Sequence, residues 1–345
     1  MTNSPRTLQA TPSFGRLGSW TVKMDYRNVG RTGVKVSSLC FGTMSFGDTA
    51  DEAESGRLFA AARDKGINFF DCANVYAGGR SEEILGRLIQ SARDELVLTS
   101  KVFGKMGEGV NDRGLSRRHI TRAVEASLKR LGTDRLEFYF VHQFDRDTPI
   151  EETLHALEGL VQRGLILYPA VSNWAAWQIM KALGLSAREH LARFELIQPM
   201  YNLTKRQAEV EILPLARSEG LGVIPYSPLG GGLLTGKYID TQPKQGRLVE
   251  NKMYTARYGE AAHHETAARF VDYAKKQGVH PATLAVAWVG SHPAVTAPII
   301  GARNVEQLQP SIAAADFVMS PEMRTEITAL SPAPAVATDR SEERA

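Results

Sequence analysis

Asp71, Tyr76, Lys101 and His142 are the residues of this sequence whose types and spacing best suit chemistry. The run NFFD ends in Asp71, LTSK ends in Lys101 and FYFVH ends in His142, while Tyr76 follows Asp71 by five positions. A charge directly after an apolar run is costly unless paired. The pairing that satisfies both signs is Lys101 with Asp71. A phenol titrates at about pH 10 in water, and a neighbouring ammonium favours its ionised form. Lys101 is therefore expected to bring Tyr76 down toward the working pH. Tyr76 would deliver a proton to a carbonyl oxygen while His142 hydrogen-bonds and orients that oxygen. Such a group suits a reaction that needs one proton and a hydride from elsewhere. Taken singly, each residue has a plainer reading: a solvated lysine, a satisfied core histidine, a surface tyrosine. Four of them at neighbouring strand ends make coincidence a poor account.

The elements that must position these residues are eight short runs rich in apolar residues. They are LCFG to Gly42, INFFD to Asp71, LVLTSK to Lys101, LEFYFVH to His142, LYPAVS to Ser172, ELIQ to Gln198, GVIPY to Tyr226 and VTAPII to Ile300. Helical patterns separate them. Thr148–Gln162 reads as a helix with a Thr148/Glu151 capping box, Pro149 in its first turn and Gly164 beyond its end. Another starts near Ser116, with Ile120, Val124, Leu128 and Leu131 on one face and Gly132 as its stop. Strands of continuous apolar character, each followed by a helix, imply a parallel sheet covered by helices. Eight such units imply an α/β fold closed as a (β/α)8 TIM barrel, the open doubly wound sheet being the alternative. In a barrel the carboxyl ends of the strands form one rim, so the four residues would converge there. After the seventh run come a long polar loop at 239–262 and two additional helices, Glu265–Gln277 and Pro281–Trp288. Loops of that length often act as lids.

The segments FGTMSFG, NFFDCANVYAGGRSEEILG, LTSKV, FVHQFD, VSNW, QPMYN, YSPLGGGLLTGKY and IIGARNVEQL, in this order, resemble those of the aldo-keto reductase superfamily. The likeness covers about 24–330. It is strongest to the branch of bacterial oxidoreductases that also includes potassium-channel β subunits. The resemblance implies a barrel that binds NADPH/NADP+ without a Rossmann domain, with Tyr76 as proton donor assisted by Lys101, Asp71 and His142. It also implies that Ser172, Asn173 and Gln198 hold the nicotinamide carboxamide, that Tyr226 stacks on its ring, and that Gly42, Thr43 and Met44 lie beside it. The backbone of Ser227, Leu229, Gly231 and Leu233 would cradle the pyrophosphate, with Lys237 as a cap. Gly301, Ala302, Arg303 and Gln307 fall at the adenosine 2′-phosphate end, where a guanidinium favours NADPH over NADH. One departure stands out. Glu-Asn usually follows this arginine by seven and eight residues, and here Pro310 and Ser311 occupy those places. Adenine recognition is then looser and the NADPH preference less strict.

The substrate would be a small-molecule carbonyl or alcohol. Phe46, Phe103, Met106, Gln143, Phe144, Trp174 and Trp177 are the candidate wall, largely aromatic and suited to an apolar or multi-ring carbonyl or a sugar face. Trp177 reads equally well as a helix residue packed on the barrel. Reduction of an aldehyde or ketone is the first expectation. Oxidation of a sugar or secondary alcohol is the nearest alternative, a regulatory subunit that senses NADPH is another class, and a barrel with no site is a third.

Other classes find little support. The net charge of +3, with Lys and Arg interleaved among Asp and Glu, gives no clustered basic stripe for nucleic acid. No run approaches the ~18 apolar residues of a membrane span, and residues 1–23 lack the apolar core of a signal peptide. The expected location is the cytoplasm. Cys40 and Cys72 cannot form a disulfide framework. GGLLTGKY at 231–238 nearly spells a P-loop, but Tyr238 stands where a magnesium-binding hydroxyl is needed. His263, His264 and Glu265 read as a solvated cluster rather than a metal site. No G-x-G-x-x-G follows any strand, and no G-x-S-x-G is present. Residues 1–23 read as a flexible extension, 24–331 as the barrel and 332–345 as a disordered tail. Whether the protein is a homo-oligomer stays open.

Overall fold

The computed structural model describes residues 24–239, 246–340 and 342. The 1–23 extension lies outside these, as do parts of the 239–262 loop and of the tail. Among the described residues there are ten strands: β1 (Tyr26–Asn28), β2 (Lys35–Ser37), β3 (Cys40–Gly42), β4 (Phe69–Asp71), β5 (Val97–Val102), β6 (Leu136–Val141), β7 (Ile166–Ser172), β8 (Leu196–Gln198), β9 (Gly222–Val223) and β10 (Ile299–Ile300). The last eight form one parallel sheet in the order β10-β3-β4-β5-β6-β7-β8-β9. The amides of Thr296 and Ile299 donate to the carbonyls of Val223 (2.8 Å) and Pro225 (2.9 Å), which joins the two edges and closes a (β/α)8 TIM barrel. All eight expected strands are found. The seventh is shorter than its sequence run, because Pro225 has no amide to give to a ladder; beyond it Tyr226 makes an isolated bridge to Met200.

Alternation along the strands sorts their side chains into two layers. Phe69, Val97, Phe138 and Phe140 point into the barrel with Cys40, Ala170 and Leu196. Phe70, Leu98, Tyr139 and Val141 point outward, against the helices. Val29 and Val36 of the β1–β2 hairpin join the inner layer. Gly30 lies against the backbone of Gly220 and Gly222, at the start of β9, so the hairpin plugs the amino-terminal end of the barrel. The other mouth stays open for a site. Sequence patterning missed this hairpin because each of its strands is three residues long.

Helix Arg117–Leu131 follows expectation: the Ser116 side chain accepts from the His119 amide, and Gly132 ends it at φ +62°. Helix Ile150–Gln162 does not start as expected. Pro149 is its N-cap, with no side-chain cap bond. Thr148 instead donates to Asp145 at 2.8 Å, so there is no capping box. His263, His264 and Glu265 lie inside helix Ala261–Lys276 rather than in a polar loop, and the His263 ring meets Tyr258 edge-on. The 239–262 region also carries two short helices, Arg247–Glu250 and Lys252–Tyr258. Pro310 is held within helix Val305–Ile312, its carbonyl accepting from Thr283, and Ser311 is buried. Among the described residues no helix is long and apolar enough to cross a membrane.

Helix Arg80–Ile89, which follows Tyr76, crosses helix Arg117–Leu131 at Gly86. A Cβ there would lie 2.6 Å from the Arg130 carbonyl oxygen and 2.7 Å from that of Leu131. Alanine in a helix ordinarily gains up to about 1 kcal/mol over glycine. At this crossing the clash reverses the sign. Gly86→Ala is expected to destabilise the protein by about 1–3 kcal/mol in chemical denaturation, as overpacking does; an unchanged or raised midpoint would show that the helices separate freely.

Candidate active site

The open mouth gathers Asp71, Tyr76, Lys101 and His142. Asp71 ends β4 and Lys101 is the penultimate residue of β5; both are buried, Lys101 at 0% exposure. The Lys101 ammonium donates to Asp71 Oδ1 and Oδ2 and to the Cys72 carbonyl, each at 2.7 Å. It lies 3.4 Å from the Tyr76 hydroxyl and 5.0 Å from the centre of that ring. Tyr76 opens a tight turn, Tyr76–Gly79, in which Ala77, Gly78 and Gly79 take φ values of +49°, +65° and +100°. Left-handed backbone is unfavourable for alanine, and such strain collects at functional sites. His142 follows β6 and meets the Tyr76 ring edge-on at 6.2 Å.

The electrostatics differ from expectation in one respect. Burial pushes the Tyr76 phenol up to about 12, outweighing the pull of Lys101 in the other direction. The lowering anticipated from the Lys101 charge alone does not occur, because transfer to a dry site disfavours phenolate more strongly. Burial also works against the Lys101 ammonium, but the Asp71 carboxylate overcomes it and holds the lysine above its usual range. Burial, reinforced by Lys101, lowers His142 to about 3. At neutral pH Tyr76 is thus a phenol, Lys101 an ammonium and His142 a neutral imidazole.

A second set of residues borders the first. Asn173, at φ +59°, donates from Nδ2 to the His142 carbonyl (2.9 Å) and to Ser172 Oγ (3.0 Å). The Tyr226 hydroxyl donates to Asn173 Oδ1 at 2.8 Å. Ser172 Oγ donates to the Gln198 carbonyl at 2.9 Å. Gln198 Nε2 donates to Asp71 Oδ1 at 2.9 Å, which ties the expected carboxamide site to the ion pair. Thr43, after β3, donates from backbone and hydroxyl to the Asp71 carbonyl, while Met44 is exposed beside it.

Past Tyr226 the chain enters the tight turn Gly230–Thr235, preceded by Ser227 at φ +59° and Leu229. Gly230, Gly231 and Gly232 are all left-handed, at +57°, +67° and +95°. A Cβ on Gly231 would meet Leu248 and Tyr254 at 2.9 Å, so the 246–258 segment packs down on this turn; Leu233 is buried beneath it. A glycine cradle of this form suits close approach of a phosphate. Lys237 lies over the Tyr238 ring at 4.8 Å. Gly301 follows β10 and abuts Gly42, a Cβ there falling 3.0 Å from the Gly42 oxygen. Arg303 pairs with Glu250 at 3.0 Å, and Gln307 is exposed in the first turn of helix Val305–Ile312. These residues fit a dinucleotide: a strained amide-bearing rim at one end, a glycine turn between, and a guanidinium with an exchangeable anionic partner at the other.

On the substrate side, Phe103 and Phe144 are half-buried at the mouth. Phe144 packs edge-on against Trp174 at 5.0 Å and lies 6.5 Å from Trp177. Trp177 is 63% exposed, whereas Trp174 is only 4% exposed and rests on Phe194. Gln143 is exposed and Met106 half-buried. Phe46 does not belong to this wall. It is fully buried against Phe41, beneath the rim, because its loop turns back through the Phe46–Ala50 bridge.

Sequence comparison accords with this architecture. A profile of the Aldo/keto reductase family matches residues 38–332. The chain belongs to the aldo/keto reductase family. An uncharacterised oxidoreductase of Bacillus subtilis, YrpG, is 39% identical over 327 residues, covering 90% of this chain and 97% of its own length. A probable voltage-gated potassium channel subunit beta of Arabidopsis thaliana is 39% identical over 306 residues, covering 86% and 92%. Versiconal hemiacetal acetate reductase of Aspergillus parasiticus is 31% identical over 326 residues, covering 87% and 94%. This aldo/keto reductase is thus an oxidoreductase by kinship, and its barrel mouth holds further contacts that the linear pattern did not single out. Thr99 donates to Asp71 Oδ1 at 2.7 Å, Gln198 reaches the same oxygen, and Glu250 occupies Arg303. Gln198 was already named for the carboxamide; Thr99 offered the further signal of a hydroxyl two positions before Lys101 on the same strand face.

The Lys101–Asp71 pair is dry, so removing one charge leaves the other stranded. Asp71→Asn is expected to cost about 3–5 kcal/mol of unfolding free energy in a denaturant titration, as for other broken buried pairs. A cost below about 1 kcal/mol, the level of exposed pairs, would mean that water reaches Lys101.

Proposed function

We propose that this chain is an NADPH-dependent oxidoreductase that reduces an aldehyde or ketone to an alcohol. The observation that carries the reading is the buried Lys101 ammonium, locked on both oxygens of Asp71 with its nitrogen 3.4 Å from the Tyr76 hydroxyl. A phenol held protonated is a proton donor in waiting. As negative charge gathers on the substrate oxygen, Tyr76 gives up its proton and Lys101 stabilises the phenolate left behind. His142, neutral, hydrogen-bonds the same oxygen and orients it. The nicotinamide, when bound, supplies the hydride. Asn173, Ser172 and Gln198 would hold its carboxamide, Tyr226 would stack on its ring, and Thr43 and Met44 would flank it. The Gly230–Thr235 turn with Lys237 would take the pyrophosphate, and Arg303 the 2′-phosphate once Glu250 yields. Phe103, Phe144 and Trp174, with Trp177 at the rim, suit an apolar or ring-bearing carbonyl. The kinship with a named reductase and the two buried free thiols, Cys40 and Cys72, accord with a cytoplasmic reductase.

The same residues run the reverse reaction, oxidation of a sugar or secondary alcohol, when the cofactor pool is oxidised. A sensing role beside a partner protein is the second reading, favoured by the kinship with proteins named potassium channel subunits. The complete proton-donor group favours turnover.

The decisive experiment follows NADPH absorbance across a panel of aldehydes, ring-bearing ketones and sugars. Tyr76→Phe is expected to lose at least about a hundredfold in kcat, the usual worth of a positioned acid, while NADPH affinity by tryptophan fluorescence holds. In the wild type, reduction is expected to be level from about pH 6 to about pH 9. Tyr76 stays protonated until pH rises toward its value of about 12, and His142 stays neutral until pH falls toward about 3. An active Tyr76→Phe enzyme, or a break in the apoenzyme phenol titration near neutrality, would refute the assigned donor.

Cofactor choice is tested separately. Arg303→Ala is expected to weaken NADPH by about tenfold or more, the worth of a charged hydrogen bond, and NADH by much less. Equal losses would remove the 2′-phosphate assignment.

A further inference from the structure

The geometry points to Thr99 as a positioning residue of the catalytic group: its hydroxyl fixes Asp71 and thereby sets how much of the Lys101 charge reaches Tyr76. The inference rests on the carbonyl-reductase reading above. Thr99 and Asp71 are register partners on the adjacent strands β5 and β4. Along β5, Val97 faces the barrel interior and Leu98 the helices, so Thr99 and Lys101 share the inward face. Below Thr99 the inner layer is apolar, built from Phe69, Val97, Phe138 and Phe140. A hydroxyl at 0% exposure in such a layer must be paired, and its partner is Asp71 Oδ1, 2.7 Å away.

Asp71 Oδ1 accepts from three donors: Thr99, Lys101 and Gln198. Oδ2 accepts from Lys101. The two neutral donors spread the carboxylate charge over groups other than the ammonium. That matters because Asp71 and Lys101 act on Tyr76 in opposite senses, the carboxylate opposing phenolate and the ammonium favouring it. With Thr99 in place, Asp71 anchors Lys101 without cancelling it. Without that hydroxyl, the less-solvated carboxylate leaves Tyr76 a weaker acid, and transfer of its proton to the developing alkoxide slows. Thr99 is at 0% exposure and presents no surface to a ligand, so substrate and cofactor binding are expected to stay level.

The test compares Thr99→Val, Thr99→Ala and Thr99→Ser with the wild type, using the best carbonyl from the panel. The Val and Ala variants are expected to lose about tenfold in kcat, the part of a charge-assisted hydrogen bond felt at the transition state. KM, and NADPH affinity read by tryptophan fluorescence, should stay level. The solvent deuterium isotope effect on kcat should grow, because proton transfer becomes more limiting. Thr99→Ser, which keeps the donor, should restore most of kcat. Thermal melts separate this from misfolding: a partly unfolded variant loses active sites without changing the isotope effect. Wild-type kcat in both Val and Ala variants, a loss carried by KM or cofactor affinity, an unchanged isotope effect, or failure of Ser to rescue would each overturn the role. A wild type that reduces no carbonyl would overturn the reductase reading and this role with it, an outcome distinct from an active enzyme indifferent to Thr99.

Discussion

One buried ion pair governs the rest of this molecule. A lysine ammonium at 0% exposure faces a desolvation cost of several kcal/mol, and three oxygens at 2.7 Å offset it. That arrangement exists only because β4 and β5 run parallel in a register that sets Asp71 beside Thr99, with Lys101 one inward step further toward the mouth. A slip of one residue would turn Lys101 against the helices and Asp71 away from it. The apolar inner layer of Phe69, Val97, Phe138 and Phe140 lies below the pair and keeps water from it. The β1–β2 hairpin closes the far end with Val29 and Val36. Half of the barrel therefore serves to keep one charge dry and placed.

Tyr76 is caught between opposing influences, and the balance decides its state. The ammonium favours phenolate while burial and the Asp71 charge oppose it, and burial prevails. A tyrosine already ionised could not donate a proton. One with no cation beside it would be too weak an acid when the substrate oxygen becomes negative. For the proposed proton donor, proximity to Lys101 without ionisation would meet both needs. His142 is treated alike: burial and the same ammonium keep it uncharged.

Of the five described non-glycine residues with left-handed backbone, three lie at this mouth, while His190 and Asp339 lie elsewhere. Ala77, Asn173 and Ser227 hold left-handed conformations without being glycine. Ala77 belongs to the turn that presents Tyr76, Asn173 links the His142 carbonyl to Tyr226, and Ser227 opens the glycine turn. Each is fixed by neighbours that over-determine it, and such strain is retained where geometry serves binding or reaction. Arg303 shows the complementary device, a cation already satisfied by Glu250 and so not left bare beside the groove.

The sequence by itself determined the fold class and pointed to the four side chains that the barrel mouth gathers. Eight apolar runs ending at Gly42, Asp71, Lys101, His142, Ser172, Gln198, Tyr226 and Ile300 are visible because strand burial on both faces leaves a continuous hydrophobic signature. Asp71, Lys101 and His142 are visible because charge at the end of such a run is unusual. Only the tertiary structure decided the rest. The Tyr76 phenol is raised, because desolvation depends on how many atoms surround a group, and spacing carries no record of that. Phe46 went to the core, Thr148 to Asp145, and His263 into a helix, since a residue's neighbours are set by which way its loop turns. Gln198 and Thr99 meet on one oxygen of Asp71 across 127 and 28 residues of chain. Closing a barrel brings such distant strand ends together, and no linear pattern records which side chains then touch.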